Sequence, residues 1–350
     1  MTNDIRNTQY ATQYAAAGVD ITAGSRAVEL MKEAVRSTHT PAVLAGIGAF
    51  GGLFALNEAV NARDVVLVAS TDGVGTKTLI AEAMGRYDTV GHDIVNHCVN
   101  DILVQGGRPL FFMDYVAAAR LEPEHVATIV HGCAEACQAV GCALLGGETA
   151  EMPGVYQPGA FDLAGTLVGW VERDSIVDGS SVRPGDVCLG LPSSGLHTNG
   201  YSLARRVFAN TTWDKVFPEL GKPLGEVLLM PHRAYLQHVE ALWAAGVKVK
   251  AMAHLTGGGF IENIPRALPA GVGVNVDRKA WQIPAIFEII QEWGHVAEAE
   301  MFQVFNMGIG MVLIVEAAQA QLALDTSPEA LVIGEAVEWA SNLGRVNLGF

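Results

Sequence analysis

The chain has 350 residues, half of them hydrophobic, 39 of them glycine and only 17% charged, with a formal net charge of −15. That composition excludes a disordered or fibrous chain and predicts one or two globular domains with many tight turns. The acidity argues against nucleic acid or an anionic membrane as partner, and phosphate ligands would need Mg²⁺, local cationic groups or helix N-termini.

Residues 1–20 are polar, with Asp4 and Asp20 and no apolar core, and read as a flexible arm instead of a secretory leader. A helix is predicted from about Gly24 through Ala27, Val28, Leu30, Met31 and Val35, apolar positions at three- and four-residue spacing. Residues 41–52 form a glycine-rich turn region in which Gly46-Ile47-Gly48-Ala49-Phe50-Gly51 matches the G-x-G-x-x-G dinucleotide fingerprint. Its context argues against that use. Pro41 interrupts the approach, and the stretch before Val65 is too short for a long crossover helix.

A β-branched strand over 65–69 then delivers Asp72-Gly73-Val74-Gly75-Thr76-Lys77 to one edge of a sheet. Asp72 is a metal-binding carboxylate there, Gly73 and Gly75 let backbone N–H groups approach an anion, and Lys77 adds a point charge. The loop is not a Walker A motif, because Thr76 and not glycine precedes Lys77. A plain β-turn is the competing reading of this loop taken alone.

A helix is predicted over 89–103. It spaces Asp93, Asn96, His97, Asn100 and Asp101 by three or four residues into a polar stripe suited to a hard cation such as Mg²⁺. The alternative is a solvated face. His92 and His97 lack the spacing of a zinc site and read as structural or as supports for a ligand.

A strand at 110–116, a helix at 122–141 and a short strand at 143–145 follow, the last running into Gly146-Gly147-Glu148. Three strand or helix ends thus each offer a carboxylate and glycine, which favours a shared Mg²⁺–nucleotide site over three functionless turns. A strand over 162–171 closes the first half. The polar stretch 172–186 marks a boundary between domains at 1–172 and 173–350.

The second half is read as a strand at 187–191, a helix at 199–209, a helix at 231–245, a strand at 247–252, a strand at 272–276, a helix at 284–293, a strand at 309–315 and a helix at 316–324. Ser193, Ser194, Gly195 and Asn199 lie in a loop that enters a helix carrying Arg205 and Arg206, a candidate phosphate cradle. His197 in that loop, and His254 before Gly257-Gly258-Gly259, are candidates for substrate contact, although a lone histidine is more often structural.

Interleaved strands and helices place the chain in the α/β or α+β class. The longest apolar run, residues 307–315, falls far short of the ~18–20 residues that span a bilayer. With no leader read at the start, a cytoplasmic protein is expected. Cys98, Cys133, Cys137, Cys142 and Cys188 include no CxxC pair and are read as core thiols.

Together these segments resemble the phosphoribosylformylglycinamidine cyclo-ligase family, also called aminoimidazole ribonucleotide synthetase. The resemblance is carried by AGVDI at 17–21, TDGVGTK at 71–77, DIVNHCVNDILVQGGRPLFFMDY at 93–115, GGETAEMPG at 146–154, SSGLHTNGYSL at 193–203 and AHLTGGGFIENIPR at 253–266. It implies a two-domain synthetase: an N-terminal sheet domain that forms a homodimer and binds ATP, and a C-terminal α/β domain that completes the substrate site. It also implies ATP- and Mg²⁺-dependent ring closure of formylglycinamidine ribonucleotide. Asp72, Asp101 and Glu148 would hold the metal, with Lys32, Gly73, Gly75, Thr76, Lys77 and Asn100 at the nucleotide. Ser193, Ser194, Gly195 and Asn199 would hold a phosphate, and Asp93, His197 and His254 would be the catalytic candidates. A related kinase would share the N-terminal acids but not the SSGLHTNGYSL and AHLTGGGF loops. A scaffold that merely keeps the fold is disfavoured, since the acid and glycine positions are filled.

Overall fold

In the computed structural model, which describes residues 21–45, 51–339 and 344–350, the chain divides into two compact units. The arm expected over 1–20 and most of the glycine fingerprint at 46–51 lie outside the described residues. Of the described residues, the first unit takes those up to Arg63 together with Ala69–Cys98 and Pro109–Gly169, and the second takes Asp64–Val68, Val99–Arg108 and those from Trp170 onward.

The first helix, α1 (Ile21–Ser37), buries Ala27, Met31 and Val35, one stripe at four-residue spacing. A small antiparallel ribbon of β1 (Val43–Ala45) and β2 (Leu53–Phe54) occupies part of the region read as a turn, and a short α2 (Leu56–Ala59) follows. Next come β3 (Val65–Gly73), α3 (Thr78–Met84), α4 (Val90–Leu103), β4 (Arg108–Ala118), α5 (Pro123–Ala139), β5 (Ala143–Glu151) and β6 (Phe161–Glu172). The strands form a four-stranded sheet in the order β3-β6-β4-β5.

Along β6 every second residue from Phe161 to Val171 is buried, so one face of the sheet builds the core. Ile94 and Val95 from α4 belong to that core with Phe112, Val116, Leu144, Leu163 and Leu167.

Two strands outrun their sequence signals. β3 continues through Asp72 and Gly73, and β5 continues through Gly146, Gly147 and Glu148 to Glu151. The double glycine therefore lies inside a strand and not at its end. β4 supplies the reason: it pairs with β5 in parallel as far as Ala118↔Glu151, so partner hydrogen bonds override poor local strand propensity.

The second unit is built on a six-stranded sheet in the order β12-β9-β11-β7-β10-β8. In chain order its elements are β7 (Val187–Pro192), α6 (Tyr201–Val207), α7 (Leu224–Leu228), α8 (Leu236–Ala244), β8 (Val249–His254), α9 (Gly259–Asn263), β9 (Val272–Val276), α10 (Ala285–Gly294), α11 (Glu298–Val304), β10 (Ile309–Val315), α12 (Ala320–Thr326), β11 (Leu331–Glu338) and β12 (Val346–Asn347). All pairings are antiparallel except β12 on β9. β10 lies between β7 and β8 and is buried at every residue, which explains its unbroken apolar run. The mixed helix and sheet class is as expected. The predicted elements omitted the short helices α2, α3, α7 and α9, together with α11, β11 and the terminal β12.

All five cysteines are free thiols in the interior. Burial pushes Cys188 up to about 12 and holds Cys133 and Cys137 well above the ordinary thiol range.

Candidate active site

Within the first unit, β3 and α4 bring the predicted acids against specific partners. Asp72 Oδ2 lies 2.8 Å from His97 Nε2, while Asp72 Oδ1 accepts the Gly73 N–H at 2.6 Å. His97 is thus a support for Asp72. Gly75, at φ 69°, opens a single turn of 3₁₀ helix through Thr76 to Lys77.

Lys77 is fully buried instead of reaching outward as a free point charge. Its Nζ lies 2.8 Å from Asp93 Oδ1, and Asp93 is equally inaccessible. Desolvation lowers the Lys77 pKa, with the Asp93 charge opposing that shift. Asp93 therefore holds the turn after β3 onto α4, and the solvated-face reading of the stripe fails because Asp93, His97 and Asn100 are all buried.

Lys32 pairs with Glu29 at 3.2 Å along α1. Glu148 is exposed on β5, in register with Tyr115.

Asn100 and Asp101, on the last turn of α4, belong to the second unit, so Asp72 and Asp101 fall in different units. Asp101 Oδ1 is 2.9 Å from His254 Nδ1, and His254 Nε2 is 2.9 Å from His232 Nε2. His232 Nδ1 reaches Thr198 Oγ1 at 3.3 Å, and its ring stacks on His197 with centroids 3.9 Å apart. His197, His232 and His254 are all buried.

The hydrogen positions follow from Asn100. Its Oδ1 accepts from Tyr235 N at 2.9 Å and its Nδ2 donates to Arg233 O at 2.8 Å, which leaves the second amide hydrogen facing His232 Nε2 at 3.2 Å. His232 Nε2 is thereby the acceptor and its Nδ1–H donates to Thr198. His254 Nε2 then donates to His232, while its Nδ1 and the Asp101 carboxyl share one hydrogen at 2.9 Å. The arrangement is a buried hydrogen-bond relay that ties His254 to Asp101 on one side and to His232 on the other.

The three histidines also lie close enough to share a metal ion. However, the planes of His197 and His232 are only 23° apart, so their in-plane lone pairs run side by side and do not converge as tetrahedral ligands do.

The Ser193–Asn199 loop differs from the cradle expected of it. Ser193 Oγ donates to Gly195 O and Asn306 Oδ1, and Ser194 Oγ donates to Pro231 O at 2.5 Å, so both hydroxyl hydrogens are engaged inside the protein. Ser194 N donates to His197 Nε2 at 3.2 Å, which helps hold His197 at the left-handed φ of 62°. The helix that follows, α6, has only seven residues and starts at Tyr201. A Cβ on Gly257 would stand 3.2 Å from Asn199 Oδ1, so the serine loop and the triple-glycine turn meet.

His232 and Asn306 escaped the sequence reading. His232 sits in Pro231-His232-Arg233, with no glycine loop or acid beside it to flag it.

Comparison with known proteins places this architecture. Residues 55–171 match the family described as AIR synthase related protein, N-terminal domain, and residues 183–342 match its C-terminal domain. The chain is therefore a two-domain protein of the AIR synthase class. Curated relatives narrow this further. Phosphoribosylformylglycinamidine cyclo-ligase of Desulfitobacterium hafniense is 56% identical over 86% of this chain and 88% of its own length. The enzyme of that name from Geobacillus thermodenitrificans is 51% identical over 93% of this chain and 96% of its own. The chain belongs to the phosphoribosylformylglycinamidine cyclo-ligase family. Among solved structures, thiamine-monophosphate kinase from Stenotrophomonas maltophilia shares the fold, with a TM-score of 0.64 and 16% identity over 91% of this chain and 96% of that one.

Proposed function

We propose that this protein is an ATP-dependent carbon–nitrogen ligase of purine biosynthesis that closes formylglycinamidine ribonucleotide to 5-aminoimidazole ribonucleotide, with release of ADP and phosphate. The observation that carries this reading is identity of 56% and 51% to curated relatives of that name, over most of both chains. The kinase with the same fold is only 16% identical and supports architecture alone.

The chemistry requires that an amide oxygen, a very poor leaving group, first be phosphorylated, after which the neighbouring nitrogen attacks the same carbon and phosphate departs. Ring closure is intramolecular, so fixing the reacting atoms supplies much of the acceleration. His254, bonded through its two ring nitrogens to Asp101 and His232, is suited to pass a proton along that relay to or from the substrate. The Ser193–Asn199 loop offers its backbone and Asn199 to the ribose phosphate.

Mg²⁺ is part of the proposal. The carboxylates of Asp72, Asp101 and Glu148 are the oxygen donors a hard cation takes, although Asp101 Oδ1 is already engaged by His254. The ion would neutralise charge on the nucleotide phosphates, beside Lys32 and the 73–77 turn. A cytoplasmic location belongs to the same reading, and no described helix is long and apolar enough to cross a membrane.

A homodimer is also proposed. On the sheet of the first unit, Met113 is 38% exposed between the half-buried Phe111 and Tyr115 of the same strand face. A second copy of the chain is the occupant that would cover this apolar face.

The deciding assay measures ADP with each component omitted in turn. ADP should form only with formylglycinamidine ribonucleotide, ATP and Mg²⁺ together, and without glutamine or ammonia. Turnover on thiamine phosphate in place of the ribonucleotide would overturn the reading. Met113→Glu should halve the mass seen by light scattering towards 37.0 kDa, and a monomeric parent protein would refute the dimer.

A further inference from the structure

The turn joining α11 to β10, Phe305-Asn306-Met307-Gly308, is a common support for both glycine loops of the second unit. Asn306 is 2% exposed, and its amide is engaged at both ends. Nδ2 donates to Gly195 O at 2.8 Å, while Oδ1 accepts from Gly308 N at 2.9 Å and from Ser193 Oγ at 3.1 Å. Ser193 N in turn donates to Gly308 O at 2.8 Å. A backbone donor on one side and a backbone acceptor on the other permit a single orientation of the amide. Met307 is held at φ 49°, a conformation costly for a residue with a side chain, and is buried there.

The same segment packs against the far ends of both loops. The Phe305 ring fills the space beside Gly200, where an added Cβ would come within 2.1 Å of it. The Phe302 carbonyl oxygen stands 2.0 Å from the position a Cβ would take on Gly259. Both glycines are at positive φ, so neither a side chain nor an ordinary backbone conformation fits.

We propose that Asn306 is a positioning residue that fixes the Ser193–Gly195 loop for the ribose-phosphate end of the substrate. This rests on the ribonucleotide reading given above. Without the amide, the Gly195 carbonyl and the Ser193 hydroxyl each lose a buried partner, and the strained Met307 is no longer held from both sides. Asn306 acts through the loop, so its loss should weaken capture of the ribonucleotide and leave the nucleotide site of the first unit intact.

The test uses the full chain with Asn306→Asp, which keeps the shape but turns an acceptor towards Gly195 O, and Ser193→Ala, which removes the loop-side partner and leaves the turn intact. Each variant should raise the KM for formylglycinamidine ribonucleotide by about tenfold, the worth of one buried hydrogen bond, with the KM for ATP within about twofold of the parent. The double variant should be less than additive. An unchanged ribonucleotide KM, an equal rise in both KM values, or strict additivity would overturn the proposal. If Asn306→Asp does not fold, the ribonucleotide KM of Ser193→Ala decides alone. Amide hydrogen exchange separates this proposal from the parent reading, because it needs no substrate. Faster exchange over 193–200 in Asn306→Asp supports the positioning role even if the ribonucleotide is not turned over, and unchanged exchange there refutes it.

Discussion

Asn100 Nδ2 lies 3.2 Å from His232 Nε2, although 132 positions separate the two residues in sequence. This contact decides which nitrogen of His232 carries hydrogen, and through it which way the bond to His254 runs. Asn100→Asp replaces the donor by an acceptor without changing the shape. The expected result is a hydrogen moved onto His232 Nε2, visible in the imidazole ¹⁵N resonances, with turnover lowered about 10- to 100-fold, within reach of one preorganised donor. Unaltered ¹⁵N shifts would show that Asn100 does not set the relay.

Asp101→Asn removes the carboxyl group bonded to His254 Nδ1. Turnover should fall at least ~100-fold, as for loss of a preorganised electrostatic contact. Asp174→Asn, at an exposed position, is the matched control and should behave like the parent. Equal, near-parent rates in the two variants would remove Asp101 from the site.

Lys77 and Asp93 form an ion pair with no exposed surface on either partner. Asp93→Ala leaves a buried ammonium without its counter-ion, which should cost about 3–5 kcal/mol of unfolding free energy. Replacing both together, as Lys77→Met with Asp93→Leu, should restore most of that stability while leaving the 73–77 turn less firmly placed. Urea unfolding of the single and double variants checks this, and a single variant as stable as the parent would contradict it.

Asp114 lies on the core face of β4, where burial pushes its carboxyl up from 3.8 to about 7. Between those values the folded protein holds a proton that the unfolded chain has released. Stability contributed by this group is therefore greatest below the unfolded pKa and falls as pH rises towards the folded one, by up to ~1.4 kcal/mol per pH unit. Asp114→Asn should abolish that slope, so its stability relative to the parent should increase from about pH 5 to pH 7 and level off above. Parallel pH profiles for the two proteins would refute the assignment.

Residues whose role is local were legible in the sequence, and those whose role is set by distant partners were not. The helix carrying Asp93, His97 and Asn100 was readable because its apolar positions repeat at helical spacing, and β10 because apolar residues and glycine alone fill the stretch from 307 to 315. Burial of the polar stripe could not be read from it, since Lys77 and His232 reach it from elsewhere in the chain. The extension of β5 through Gly146 and Gly147 was hidden for the same reason: pairing with β4 imposes it. His254 and His197 were found because glycine loops flank them. His232 and Asn306 have no such neighbours, and their significance arises only where the folded chain brings Asn100, Ser193 and Gly195 against them.

The distribution of the five interior thiols gives the molecule a built-in pair of unfolding clocks. Cys98, Cys133, Cys137 and Cys142 fall in the first unit and Cys188 alone in the second, and all are buried. An alkylating reagent reaches each thiol only when its surroundings open, so labelling rates resolved by peptide mass report the opening of the two units separately. Any variant described above can thus be sorted, without substrate, by which clock it speeds up.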